Sequence, residues 1–131
     1  MFIVTELLCD NLYEFLRKNR QSADPVYFTV GRIRHVAQQC LVALEFLHAV
    51  GIIHSDLKPE NIVLADIERA DIKIIDFGSS CFLHDTLGTY VQSRSYRAPE
   101  VILGAQYDYR IDVVRHSLYY FVQCTQSYFC S

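Results

Sequence analysis

Close cysteine spacing is missing. The five cysteines, Cys9, Cys40, Cys81, Cys124 and Cys130, are odd in number and scattered, which excludes the usual zinc patterns and leaves reduced intracellular thiols as the expected state. Cytosol or nucleus is the compartment this implies. No run of about 18 uncharged apolar residues occurs, and no basic stretch precedes an apolar one at the N-terminus, so a secreted or membrane-spanning chain is not expected. Positive charge is also short. Twelve Lys and Arg stand against fifteen Asp and Glu, a net charge of −3, which provides no general attraction to nucleic acid or to an acidic membrane surface. Internal repeats and low-complexity tracts are absent as well. What remains is a globular composition, 51% hydrophobic and 21% charged, in 131 residues, room for one domain.

The chemistry is densest in Ile53-His54-Ser55-Asp56-Leu57-Lys58-Pro59-Glu60-Asn61. Asp56 can accept a proton from an attacking hydroxyl, Lys58 can neutralise charge on a moving phosphoryl group, and Asn61 can offer an amide oxygen to a hard metal ion. A second acid, Asp76, closes the apolar run before Phe77-Gly78, where glycine would let the backbone turn away from a metal-binding carboxylate. Together these groups suggest phosphoryl transfer.

Periodicity places that loop among regular elements. Phe2 to Thr5 is a β-branched run suited to a strand. Asn11 and Glu14 have the spacing of a helix N-cap and its return partner, so a short helix should run to about Lys18 with Leu12, Phe15 and Leu16 on one face. After the turn cluster at residues 21–25, Ile33, Val36, Ala37, Cys40, Leu41, Leu44 and Leu47 recur at helical spacing up to Gly51. Arg32, Arg34, Gln38 and Glu45 lie off that stripe and read as a solvated face, and His35 and His48 as structural. Ile62-Val63-Leu64 and Ile72-Lys73-Ile74-Ile75 read as a hairpin that lifts Asp76 toward Asn61, with Lys73 solvated. No domain boundary interrupts this order.

The ordered set H-S-D-L-K-P-E-N, D-F-G and Ala98-Pro99-Glu100 resembles the protein kinase catalytic lobe. The stretch Tyr90 to Glu100, Y-V-Q-S-R-S-Y-R-A-P-E, is similar to the dual-specificity tyrosine-regulated kinases and their Yak relatives in the CMGC group. The resemblance covers about Phe2 to Val113 and implies an α+β fold, the mainly helical large lobe of the protein kinase fold, truncated at both ends. A partial kinase domain at residues 1–113 and an off-pattern tail at 114–131 follow from it. So do ATP and Mg2+ as cofactors and proteins as substrates. By resemblance Glu6-Leu7-Leu8 is the hinge, with Glu6 and Leu8 at the adenine, and Asn61 and Asp76 hold Mg2+ against the ATP phosphates. Ser79 to Arg97 matches the activation segment. Tyr90 matches a self-phosphorylated tyrosine, with Arg94 and Arg97 able to clamp its phosphate; the alternative is a packing or surface tyrosine. Asp112 matches an acid that braces the catalytic loop through backbone N–H groups.

Departures from the pattern matter too. Gly88 stands where a partner tyrosine is usual, Ser55 where many kinases have arginine, and the later arginine that would pair with Glu100 is absent. No tryptophan follows Asp112, and residues 119–131 read as out-of-frame or intron-derived sequence, or else as a divergent helix. The chain has no G-x-G-x-x-G and no small-lobe lysine with its helix glutamate. The expectation is therefore a kinase-lobe fragment that does not turn over alone. A non-catalytic binding fragment and a non-functional truncated product are the alternatives.

Overall fold

A long apolar stripe needs a partner, and the fold follows from what covers it. The structure, a computed structural model, describes residues 2, 4–21, 27–85 and 91–113. Helix α1 (Leu12–Gln21) starts where the Asn11 carboxamide Oδ1 accepts the Glu14 N–H at 2.9 Å, and runs three residues beyond the expected end. Helix α2 (Val30–Ala49) is capped by Thr29, whose hydroxyl accepts the Arg32 N–H. The chain leaves it just past the Val50 cap through Gly51, whose φ of +78° few other residues adopt readily.

Ile33, Val36, Cys40, Leu44 and Leu47 of α2 are buried, as the periodicity predicts. Leu41 is not: it is 46% exposed and joins Val42, Phe46 and Val50 on a second, solvent-facing apolar side. Its one-residue offset from Cys40 turns it about 100° away from the stripe. Arg32 is not simply solvated either. Its guanidinium lies 4.1 Å from the centre of the Tyr27 ring and donates to the carbonyls of Tyr27 and Glu68.

Strands β1 (Ile52–Ile53), β2 (Ile62–Asp66), β3 (Asp71–Ile74) and β4 (Cys81–Phe82) form two antiparallel pairs, β1 with β4 and β2 with β3. The second is the expected hairpin, with Ile62 opposite Ile74 and Val63 opposite Lys73. Its turn is shaped by Asp66, whose carboxylate accepts the N–H groups of Glu68 and Arg69. Residues 9–11 run along the free edge of β2, with Cys9 N–H donating to the Leu64 carbonyl and Leu64 N–H to that of Asp10. The strand expected at residues 2–5 is not seen among the described residues: Phe2 and Val4 are 99% and 93% exposed, and no β-ladder reaches them.

Leu12, Val36, Cys40, Leu44, Leu57, Ile62 and Leu64 make one core where α1, α2 and the hairpin meet. A buried leucine contributes about 2 kcal/mol, whereas an exposed pair such as Lys18–Asp10 contributes at most about 1 kcal/mol. Packing therefore holds the elements together. A second cluster, Ile53, Ala98, Val101 and Ile111, ties β1 to the short helix α3 (Pro99–Ile102) and to the helical turn that begins at Arg110. Helices with small antiparallel sheets are thus the architecture. The tail at 114–131 lies outside the described residues, as does most of the turn cluster before Tyr27. No described helix is long and apolar enough to cross a membrane.

Candidate active site

The loop from His54 to Asn61 joins the two clusters and is held by polar groups from within it and from Asp112. Asp112, with no exposed surface, accepts the backbone N–H of Ser55 on Oδ1 at 3.0 Å and that of His54 on Oδ2 at 2.9 Å. His48 Nε2 donates to the same Oδ2 at 3.1 Å. Charge-assisted bonds of this kind are about twice as strong as neutral ones, and here they hold Ser55 in the left-handed region at φ +63°.

His54 links this loop to the end of β3. Its Nδ1 accepts the Asp56 N–H at 3.2 Å, so the ring proton lies on Nε2, which donates to the Ile75 carbonyl at 3.1 Å. The ring also packs against Phe77, with centroids 5.1 Å apart. Asn61 makes a second link by accepting the Ile75 N–H on its carbonyl at 2.9 Å. Asn61 and Asp76 consequently sit at the same end of the hairpin.

The side chains of Lys58, Ser93 and Asn61 donate to Asp56. Lys58 Nζ donates to Oδ2 at 2.6 Å, the Ser93 hydroxyl donates to Oδ1 at 2.8 Å, and Asn61 Nδ2 donates to the Asp56 carbonyl at 2.9 Å. Lys58 Nζ also donates to the Ser93 hydroxyl at 3.1 Å, which closes a triangle among carboxylate, ammonium and hydroxyl. The Lys58 and Asp56 side chains are 22% and 13% exposed, so their pairing is screened less than a surface pair would be. Ser93 was not singled out by the sequence. Its only signal is its place in Q-S-R-S-Y-R, and a lone serine carries none of its own.

Asp76 is exposed and bonded locally, its Oδ1 accepting the Gly78 N–H at 3.2 Å. The sharp backbone turn expected at Gly78 is made by Asp76 itself, at φ +65°. What Gly78 supplies is room, because a Cβ there would stand 3.2 Å from the Asp76 carboxylate. Asn61 Oδ1 and the Asp76 carboxylate are hard oxygen donors. Among the described residues no group of three His, Cys, Asp or Glu could hold a metal. Two protein oxygens suit Mg2+, which keeps waters and takes substrate phosphates as its remaining ligands.

Of the remaining predicted residues, Tyr90 lies outside the described residues. Arg94 is exposed in the short turn Arg94–Tyr96. Arg97 already donates to the carbonyls of Val91 and Gln92, each at 3.0 Å. Gln92, buried and at φ +67°, donates to the Ile111 carbonyl and accepts the Ala98 N–H at 2.7 Å, which fixes the stretch that presents Ser93. Glu6 and Leu8 lie in the irregular stretch before α1. The expectation that Lys73 is merely solvated is wrong, since its Nζ donates to both carboxylate oxygens of Glu6 at 2.6 Å.

The family profile described as protein kinase domain matches residues 1–126. Dual specificity tyrosine-phosphorylation-regulated kinase 3 of Homo sapiens is 51% identical over 108 residues, 82% of this chain and 18% of that protein. Probable serine/threonine-protein kinase dyrk2 of Dictyostelium discoideum is 47% identical over 113 residues, 86% of this chain and 12% of that protein. Serine/threonine-protein kinase ppk5 of Schizosaccharomyces pombe is 49% identical over 111 residues, 85% and 13% of the two chains. The chain thus spans less than a quarter of the length of the curated relatives it matches. Proteins named as dual-specificity and serine/threonine kinases are what it is similar to, and with a profile match running from residue 1 to residue 126 the chain belongs to the protein kinase domain family.

Proposed function

We propose that the chain is a large-lobe portion of a protein kinase that transfers the γ-phosphoryl group of ATP to serine or threonine hydroxyls of proteins, with Tyr90 as a site of self-phosphorylation. Residues 1–113 form the kinase part and 114–131 an off-pattern tail. Nucleic acid and membrane are not partners in this reading, and cytosol or nucleus is its compartment.

The observation that carries it is the triangle of Asp56, Lys58 and Ser93. The Asp56 carboxylate lies beside the Lys58 ammonium and would act as the base to which a substrate hydroxyl gives up its proton as its oxygen attacks. The new bond joins that oxygen to the γ-phosphorus, and the bond from the γ-phosphorus to the bridging oxygen breaks, leaving ADP. Lys58 offsets charge on the transferred group. Asn61 Oδ1 and the Asp76 carboxylate would hold Mg2+, which when bound neutralises charge on the phosphates. The backbone around Glu6 and Leu8 would meet the adenine edge. Arg94 and Arg97 would clamp a phosphate on Tyr90.

Joined to a small lobe with a Gly-rich loop and its lysine, these residues should transfer labelled phosphate from ATP. Asp56→Asn should then lower the rate on the order of 10² to 10⁴ while nucleotide affinity changes little. Unchanged turnover would remove Asp56 from the mechanism. The sequence contains no G-x-G-x-x-G, and that favours a second reading of this chain by itself, a lobe that binds without turning over. Asp56-dependent transfer by this chain alone would refute that second reading.

A further inference from the structure

The stretch before α1 is the least anchored part of the described chain that the proposed function uses. Leu7 is 99% exposed, Val4 93%, and among the described residues the first backbone bond is that of Cys9. Lys73 stands on the opposite kind of element. Ile72 N–H donates to the Gln39 carboxamide at 3.0 Å, β3 is laddered to β2, and Ile75 N–H is held by Asn61. The paired bonds from Lys73 Nζ to Glu6 therefore join a loose segment to a fixed strand that ends at Ile74, two residues before Asp76.

We propose that Lys73 is a positioning residue: it fastens residues 4–8 to β3, so that one strand sets both the adenine-side backbone and the metal acid. The inference rests on reading Glu6 and Leu8 as the hinge. Both partners are about half exposed, at 47% and 57%, so the effect is modest and salt-sensitive. It acts by narrowing the conformations of a short segment, and global stability should hardly respond.

Hydrogen–deuterium exchange of this chain, read on a peptide covering residues 4–8, tests the tether without nucleotide. Lys73→Met should raise exchange there about two- to fivefold, and the charge swap Glu6→Lys with Lys73→Glu should restore it. Salt at 1 M, where screening acts over about 3 Å, should loosen the native chain and leave Lys73→Met unchanged. Adenosine, titrated against the same peptide, should protect it in the native chain and more weakly in Lys73→Met. Equal exchange in the native chain and Lys73→Met, or no rescue by the swap, overturns the proposal whatever adenosine does. If the tether behaves as stated but saturating adenosine gives no protection in the native chain, the hinge reading fails, and the proposed nucleotide role of Lys73 fails with it.

Discussion

Two stretches of this molecule face the same problem and solve it differently. The loop around Asp56 and the stretch Val91 to Arg97 each contain a non-glycine residue at positive φ, Ser55 at +63° and Gln92 at +67°, and in each a buried polar side chain bonds the backbone. For the loop that side chain is a carboxylate, Asp112, with two backbone donors and an imidazole. For the stretch it is a neutral carboxamide, Gln92, with one donor and one acceptor. Bond for bond the carboxylate holds more than the carboxamide, because neutral bonds contribute about 1 kcal/mol each, and the stretch adds charge-assisted bonds from Arg97 and to Asp56.

The contrast breaks most directly at Asp112. Asp112→Ala leaves two buried N–H groups and His48 without their acceptor, and should cost about 3–5 kcal/mol in denaturant unfolding. Asp112→Asn, which keeps the shape, should lie between it and the native chain. Gln92→Ala should cost about 1–2 kcal/mol, with faster amide exchange at residues 91–98 and none of the change at 54–56. Equal losses at the two positions would mean that carboxylate and carboxamide hold their segments alike. The smallest effect lies at the rim. The hydrogen bond from Arg110 holds the Asp108 carboxyl below its ordinary value, so any stability it contributes is present above the unfolded value of 3.8 and is lost as pH falls through the folded one. Asp108→Asn should flatten acid unfolding only slightly, since its partner Arg110 is exposed and the pair is screened by solvent.

How much of this was legible in the sequence depended on whether one residue carried its own signal. The Asn11 cap, the buried face of α2 and the β2–β3 hairpin were readable because capping chemistry and periodicity are local. That Asp56, Lys58 and Asn61 meet was legible from their spacing in one short loop. Ser93 was not, because its meaning arises only when residues 37 positions apart meet at 2.8 Å. The β1–β4 pair was invisible for a similar reason, as two residues a side show no periodicity. Lys73 was misread because strand alternation tells which way a side chain points and nothing of what waits there. The strand expected at residues 2–5 is not seen at Phe2, Val4 and Thr5, and Ile3 lies outside the described residues.

Helix α2 carries one more consequence. Its buried side, from Ile33 to Leu47, is shared with α1 and the hairpin, while Leu41, Val42, Phe46 and Val50 face outward at 46 to 68% exposure. The two sides answer to different quantities. The inner side sets the free energy of unfolding, a property of one molecule, whereas the outer side sets how molecules attract one another and so depends on concentration. Colloidal behaviour and thermal resistance can therefore be altered independently in this chain by substitutions only one or two residues apart on a single helix.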